Sequence, residues 1–482
     1  MIEMNEPKRI RSVGSKIQNH LPLAPCALRF FALRSAFCIF LRNFAFCILH
    51  FAFCTFIILI GSYSIANADF WDVVSKFHPS LTLQEQYSDN LYLRSINRQE
   101  DWITTIYPGV RFSTLPAKVT SPGQILKAPA EPLGIDLDYR LGLNFYAKVA
   151  ERNYVSHQGT LNTWYTIDRK LDLRLRDYFL QSDEPIEQAY IVGALPGEYV
   201  VGIQRERSIY IRNIFEPSIG YRFGRENLLE LNYRNNIYEN ESTSIEDSRG
   251  NYINPRVTYW FNIHHGMVLE YGLIMGDFER SPDLTGHMGR GRYTYRFNPR
   301  SSFFAEYIYL KRDFQSPGID YDVHNPSVGV EYSFSRTLSG RVQIGYFRQA
   351  PEIGSSTDGP AFDANLVQRT EKTTYNLSFQ GGYREDFFTA ENIGFMRYYR
   401  GIGAITRRVI ARLTLGLLGS VERIEYSTDQ KDWRWQFGGN ASYQIFRWLT
   451  VSLDIFHREN DSNIDTADYN ENRGIFRLSA TI

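Results

Sequence analysis

Two adjacent histidines, His264 and His265, a glycine-arginine run at Met288-Gly289-Arg290-Gly291-Arg292, and short strings in which acids and bases alternate with apolar residues are the places where this sequence could do chemistry. A histidine pair chelates one metal only when both rings reach the same point. Neighbours on a strand point to opposite faces, so His264 and His265 read as turn residues and no metal site is expected. The glycine-arginine run lacks the spacing and the lysine-hydroxyl pair of a phosphate loop. Its glycines read as relief of crowding in a curved sheet. The sequence holds no Gly-x-Ser-x-Gly elbow and no His-Glu-x-x-His pair, although a site assembled from separate strands would carry neither. All four cysteines (Cys26, Cys38, Cys47 and Cys54) precede residue 69, so the rest of the chain has no disulfide, thiolate metal site or cysteine nucleophile. No cofactor is expected.

The charged strings are more informative than any motif. Asp136, Asp138 and Arg140 alternate with Ile135, Leu137, Tyr139 and Leu141, and Asp172, Arg174 and Arg176 alternate with Leu171, Leu173 and Leu175. Successive side chains of a strand face opposite ways, so each string is a two-sided strand, oily on one face and charged on the other. If the oily faces meet lipid, these six residues line a lumen and set its electrostatic field. The plainer reading is that they only pair with one another across strands. Trp433, Trp435 and Trp448 read as interface anchors, with sugar stacking as the alternative.

The same two-residue period recurs at Leu229, Leu231 and Tyr233, at Tyr293, Tyr295 and Phe297, at Val328, Val330, Tyr332 and Phe334, and at Leu413, Leu415 and Leu417. Short connections are predicted at Asp168-Arg169-Lys170, Gly224-Arg225-Glu226, Ile263-His264-His265, Asn298-Pro299-Arg300, Arg336-Thr337-Leu338, Arg407-Arg408 and Phe446-Arg447. Between them lie longer polar stretches at 182–205, 239–250, 312–322, 348–370 and 425–431. Short turns alternating with long loops are the habit of outer-membrane barrels, short on the periplasmic side and long outside. A soluble sandwich would show the same alternation. Three features favour the membrane: strands often about 11–14 residues long against about 5–6 in soluble proteins, charges of both signs on the polar faces, and 7 Trp, 32 Tyr and 33 Phe, which suit aromatic girdles. In hydrocarbon only a closed sheet leaves no unpaired edge.

The expected fold is therefore all-β: a transmembrane antiparallel up-and-down barrel over residues 69–482. Both termini should be periplasmic, so the strand count is even. The segment between the strands at 339–350 and 393–406 must hold no strand or two. The first choice gives about 18 strands and the second about 20, and 18 is favoured. The long stretch at 348–370 is the candidate for a loop folded into the lumen. The last strand, with Phe476, Leu478, Ala480 and Ile482 on one face, is similar to the assembly signal of outer-membrane proteins, except that the usual terminal residue is aromatic.

Residues 1–68 read as a leader. Lys8, Arg9, Arg11, Lys16, Arg29, Arg34 and Arg42 stand against only Glu3 and Glu6. An apolar run at 44–60 follows, and Ala66-Asn67-Ala68 places small residues at −3 and −1 for cleavage after Ala68. An uncleaved membrane anchor is the alternative. The leader is long and repeats a short block ending in Cys38, Cys47 and Cys54, which fits translation from a start nearer residues 33–44. With 53 basic and 53 acidic residues overall, removal of this basic leader leaves a slightly acidic chain without the basic stripe of a nucleic-acid binder. The first strand begins near Leu81, which leaves no expected room for an N-terminal plug domain.

Residues 81–93 resemble the first strand of the β-barrel porin type 2 family, and residues 101–110, from Asp101 and Trp102 to Pro108 and Val110, resemble its second. Asn153-Tyr154-Val155-Ser156-His157, Arg176-Asp177-Tyr178 and Asp183-Glu184-Pro185 are also similar. The resemblance implies an outer-membrane barrel. For some members it further implies a link to exopolysaccharide export. It transfers no catalytic or binding residue. The expected function is a passive pore or channel, with an outer-membrane lipase or protease and a non-transporting surface barrel as alternatives. The expected partners are outer-membrane lipid, the barrel assembly machinery, and polysaccharide or small solutes.

Overall fold

Strands dominate because the two-residue period persists through nearly every stretch between turns. The computed structural model describes residues 74–114, 132–184, 207–388 and 394–481. The leader with Ala66 and Ala68, and the last residue Ile482, lie outside the described residues. The strands are β1 (Phe77–Ser88), β2 (Asp101–Ser113), β3 (Leu133–Tyr146), β4 (Tyr154–Ile167), β5 (Leu171–Ser182), β6 (Tyr210–Arg222) and β7 (Leu228–Asn240). They continue with β8 (Ser248–Trp260), β9 (His265–Phe278), β10 (Leu284–Asn298), β11 (Ser301–Phe314), β12 (Tyr321–Ser333), β13 (Leu338–Pro351) and β14 (Thr357–Arg369). The remainder are β15 (Thr373–Asp386), β16 (Gly394–Ile410), β17 (Leu413–Tyr426), β18 (Lys431–Phe446), β19 (Leu449–Ser462) and β20 (Tyr469–Thr481). Each strand pairs antiparallel with the next, and β1 pairs with β20 from Ser80↔Thr481 to Ser88↔Arg473. The result is a closed 20-stranded ring with no free edge.

The strand count settles on the second of the two values that parity allowed. Residues 348–370 are not an inward loop: most of them form β14, and residues 371–390 supply β15. Arg407 and Arg408 are not a turn either. They lie in β16, which continues past a register shift between Arg408 and Ile410 and turns at residues 411–412. At the near end, where β1 begins and β20 finishes, turns are tight, as at 168–170, 299–300 and 447–448. The connection 114–132 is the near-end exception, and its residues 115–131 fall outside the described ones. Far-end connections are longer, the longest being 183–209.

The ring is oily outside. Leu417 is 66% exposed, and Leu137, Tyr139, Leu229, Leu231, Val328, Val330, Trp433, Trp435 and Phe476 are exposed on the same outer face. Leu478 and Ala480 follow Phe476 on that face of β20. So broad an exposed apolar surface is foreign to soluble monomers. The glycines of the glycine-arginine run do not relieve crowding. A Cβ at Gly289 would meet nothing within 4 Å, and one at Gly291 only Leu269 at 3.8 Å.

Prolines break the ring's ladders in a regular way. A proline cannot donate a ladder hydrogen bond. Five strands running towards the near end each carry one; in β14 the proline lies above the start of the β15 ladder, and in the other four the pairing with the strand that follows is lost around it. Around Pro108 the register passes from Ile106↔Leu143 to Gly109↔Arg140. Around Pro217 it passes from Phe215↔Asn235 to Ser218↔Asn232. Pro255 and Pro326 leave the same gap between β8 and β9 and between β12 and β13. Asparagine fills one of these gaps: Asn254 Nδ2 donates to the Tyr271 carbonyl and to Glu270 Oε1, each at 2.9 Å.

Candidate functional site

The inner wall is built of arginines and carboxylates that alternate across strands. Arg290 on β10 donates to Glu270 on β9 at 3.2 Å and to Glu306 on β11 at 2.7 Å. Arg292 pairs with Glu331 at 2.7 Å, Arg458 with Glu471 at 2.5 Å, and Arg234 and Arg477 with Glu216 and Asp454. Each pair satisfies two charges that a strand's inner face would otherwise leave to water alone. Glu270 and Glu306 are deep in the wall, and Arg290 stands between them within reach of both carboxylates.

The six charged residues singled out from sequence all lie on this inner face. Arg111 on β2 clasps Asp136 with two bonds, 2.9 and 3.0 Å long. Asp138 and Arg140, two apart on β3 and therefore on one face, pair at 3.0 Å. Asp172 holds Arg222 at 2.9 Å and accepts from the Thr166 hydroxyl at 2.7 Å. Arg176 reaches Glu216 at 3.3 Å. Arg174 is exposed and has no ion pair among the described residues. His264 and His265 go separate ways: the first ring contacts the Arg296 carbonyl and the second the Tyr293 hydroxyl. Trp433 and Trp435 stack on each other on the outer face, and Trp448 stacks on Phe446 in the near-end turn.

Two structures at the far end fold inward, and neither was foreseen from sequence. The first is the upper part of the β15–β16 hairpin. Pairing between β14 and β15 runs only from Phe362↔Gly381 to Arg369↔Thr374. At Gly382 the backbone takes φ +145°, a conformation that glycine accepts without a Cβ penalty. Beyond it Tyr383, Phe387, Phe388 and Phe395 pack against the inner faces of β9 to β13, in a cluster with Ile274, Leu284, Leu310, Tyr321, Val323 and Phe347. Phe388 presses on Gly250 of β8 and Gly276 of β9, where an added Cβ would come within 2.7 and 2.9 Å of its ring. A two-pronged ion pair anchors the hairpin: Arg312 donates to Glu385 at 2.6, 3.1 and 3.2 Å, and the Tyr321 hydroxyl donates to the same carboxylate at 2.6 Å.

The second is the start and end of the connection between β5 and β6. Arg207, almost fully buried, donates to the Leu91 carbonyl at 2.8 Å and to the Tyr146 hydroxyl at 3.0 Å, and pairs with Asp183 and Glu184. Glu184 in turn accepts from Arg473 of β20 at 2.7 Å and from Gln86 of β1 at 3.1 Å. One carboxylate thus ties the end of β5 to the seam where the ring closes. Burial opposes its charge, but Arg207 and Arg473 outweigh it and hold its pKa down to about 2. Asp183 goes the other way: burial raises its pKa beyond what Arg207 offsets. Burial also opposes the charge of Arg207, and the surrounding acidic groups raise its pKa nonetheless. No sequence period marks these residues, because they sit outside the strands or past the point where β15 leaves the ring.

Among the described residues no group of His, Cys, Asp and Glu is arranged to hold a metal. The wall and the two inward structures line and narrow the polar interior of the ring.

No curated protein matches the chain. Among solved structures, Acinetobacter baumannii OccAB4 is 12% identical, with 84% of this chain and 98% of that one covered at a TM-score of 0.39. Pseudomonas aeruginosa OpdK with vanillate is 10% identical over 85% and 99%, at 0.40. The siderophore receptor PirA from Pseudomonas aeruginosa is 7% identical over 84% and 80%, at 0.46. Residues 278–481, from the last residue of β9 through the end of β20, match the family model described as "Putative beta-barrel porin 2", the same family that the sequence resembles.

Proposed function

We propose that the chain is an integral outer-membrane β-barrel of a Gram-negative bacterium and that it works as a passive channel. The observation that carries this is the polarity of the closed ring: large apolar and aromatic side chains outside, ion-paired arginines and carboxylates inside. Only a hydrocarbon surround makes the first face favourable, and only water makes the second. Twenty strands spaced about 4.8 Å and tilted about 40° enclose a backbone ring roughly 40 Å across. Rings of this class leave an aqueous space, here reduced by the β15–β16 hairpin. Asp136, Asp138, Arg140, Asp172, Arg174 and Arg176 line that space near its inner surface. Arg174, with no partner among the described residues, is the one most available to solute.

Its surroundings would be outer-membrane lipid, and the outer-facing Phe476, Leu478 and Ala480 of β20 would be read by the barrel assembly machinery. The finer role, passage of an exopolysaccharide, draws its support from the family resemblance alone. Conductance in planar bilayers tests the channel. A steady ohmic step from the folded mature protein is expected, with block by added saccharide if polysaccharide is the cargo. A folded preparation that never conducts would leave an enzyme or a structural barrel as the reading. Retention of polysaccharide inside a deletion strain tests the finer role.

A further inference from the structure

We propose that Arg212 is the anchor of a binding site for small monoanionic carboxylates at the far-end mouth of the lumen. Four arginines of the described chain are buried, and three hold a carboxylate: Arg207 holds Glu184, Arg312 holds Glu385, and Arg458 holds Glu471. Arg212, only 1% exposed, holds none. Among the described residues no hydrogen bond or ion pair reaches its guanidinium, and its Nε is without a partner. A charge with no directly bonded partner in such a place is strongly unfavourable, so the missing component is an anion.

The surroundings specify what kind of anion. Arg212 stands opposite Leu180 on β5 and Tyr238 on β7. Tyr210 and Tyr238, both buried, stack at 5.8 Å beside it, and Tyr178 is a further electrostatic neighbour. On the adjoining inner face, Asn236 Oδ1 and the Ser248 hydroxyl are buried and unpartnered, and an amide can turn either end to a ligand. The described end of the inward hairpin lies over this face: Phe388 covers Gly250, two residues beyond Ser248, and the Asp386 charge acts on Arg212. A guanidinium fork matches the two oxygens of a carboxylate. The nearby Asp386 charge disfavours a dianion, which sets carboxylate ahead of phosphate. Tyr210, Tyr238 and Leu180 give the site apolar surroundings that suit a short hydrocarbon tail.

This inference rests on the channel reading only for access from the lumen. Binding is read in detergent and conductance in bilayers, so either can fail alone. Calorimetric titration of the folded mature protein with butyrate, inorganic phosphate and butyramide is the test. Wild-type protein should bind butyrate saturably, bind phosphate at least tenfold more weakly, and ignore butyramide. R212Q should weaken butyrate at least tenfold. N236D, which places a carboxylate beside the arginine, should do the same while leaving Arg212 in place, and it decides the matter if R212Q does not fold. Absence of saturable butyrate binding in the wild type, equal binding of butyramide, or undiminished butyrate binding in a folded variant would overturn the proposal. Preferential binding of phosphate would overturn the monoanion assignment.

Discussion

Removing the Glu385 carboxylate should loosen the inward hairpin and widen the conduit. In the wild type this group accepts three contacts from Arg312 and one from Tyr321, and the arginine is buried. Breaking a buried pair by deleting one partner costs about 3–5 kcal/mol. The loss in E385A should fall at the lower end, because Arg312 keeps the His287 and Lys311 carbonyls at 3.2 and 3.1 Å. About 3 kcal/mol corresponds to roughly a hundredfold change in the ratio of docked to undocked hairpin. The aromatic cluster around Phe347, Phe387 and Phe395 remains, so the docked form should stay the major one.

Single-channel recording reads this directly. E385A should show larger-conductance episodes about a hundredfold more often than wild type, at the ratio worked out above, and those episodes should admit larger polyethylene glycols. L137A serves as control, since Leu137 lies exposed on the outer face of β3, away from the lumen. If E385A conducts and excludes polymer as the wild type does, the hairpin does not set the lumen's width and the energetic argument from Arg312 fails.

The ion-paired wall predicts unequal arginines. R290M leaves Glu270 and Glu306 unpaired and should cost about 3–5 kcal/mol, whereas R174A should stay within about 0.5 kcal/mol; denaturant unfolding in vesicles compares them. On the outer face, L417R replaces a side chain 66% exposed to the surround and should destabilise by about 2–4 kcal/mol if Leu417 lies near the bilayer midplane, while stability equal to wild type in vesicles would contradict a lipid-facing β17. At the far end, Glu184 should titrate near 2 and not near its ordinary 4.5. Its depressed pKa adds stability that is complete above about pH 4.5 and fades as pH falls towards 2. Asp183, with a raised pKa, acts in the opposite sense, its penalty easing on protonation. Carboxylate carbon NMR should show the low midpoint in wild type and a higher one in R473Q; a wild-type midpoint near 4.5 would refute the assignment.

How much of this was legible in the sequence depended on which force wrote the signal. Where one face of a strand is oily, as in β3 with Leu137, Tyr139 and Leu141, the period gave both the strand and its orientation. β14 carries Asp358, Gly359, Pro360, Asp363, Asn365 and Gln368 among its 13 residues and so reads as a loop. It is a strand because β13 supplies a complete partner from Leu338↔Gln368 to Gln349↔Thr357. Its proline is tolerated because the β15 ladder starts only below it, at Phe362↔Gly381. Parity kept the right count open without choosing it: an outgoing and a returning strand had to be added together or not at all, and the weak local pattern favoured 18 over the 20 found. Arg407 and Arg408 misled for a related reason. Charges at a strand's near end look like a turn when the strand runs on into a bulge.

The inward structures escaped sequence reading because they obey a different rule. Tyr383 and Glu385 fall on the strand face that elsewhere carries Tyr375, Leu377 and Phe379 to the outside, yet they contact Phe347 and Arg312 inside the ring. Alternation along the chain is unbroken; what changes is the sheet to which the alternation refers. Once β15 leaves β14 at Gly382, both faces of the hairpin are enclosed, so a charge such as Glu385 there must find an interior partner. Arg312 is that partner. The demand recurs at Arg207 with Glu184, and it is left open at Arg212. A buried charge in this mouth is therefore either matched by a charge from another strand or awaits one from outside the chain, and that is the physical distinction between a residue that holds the conduit's shape and one that selects what passes.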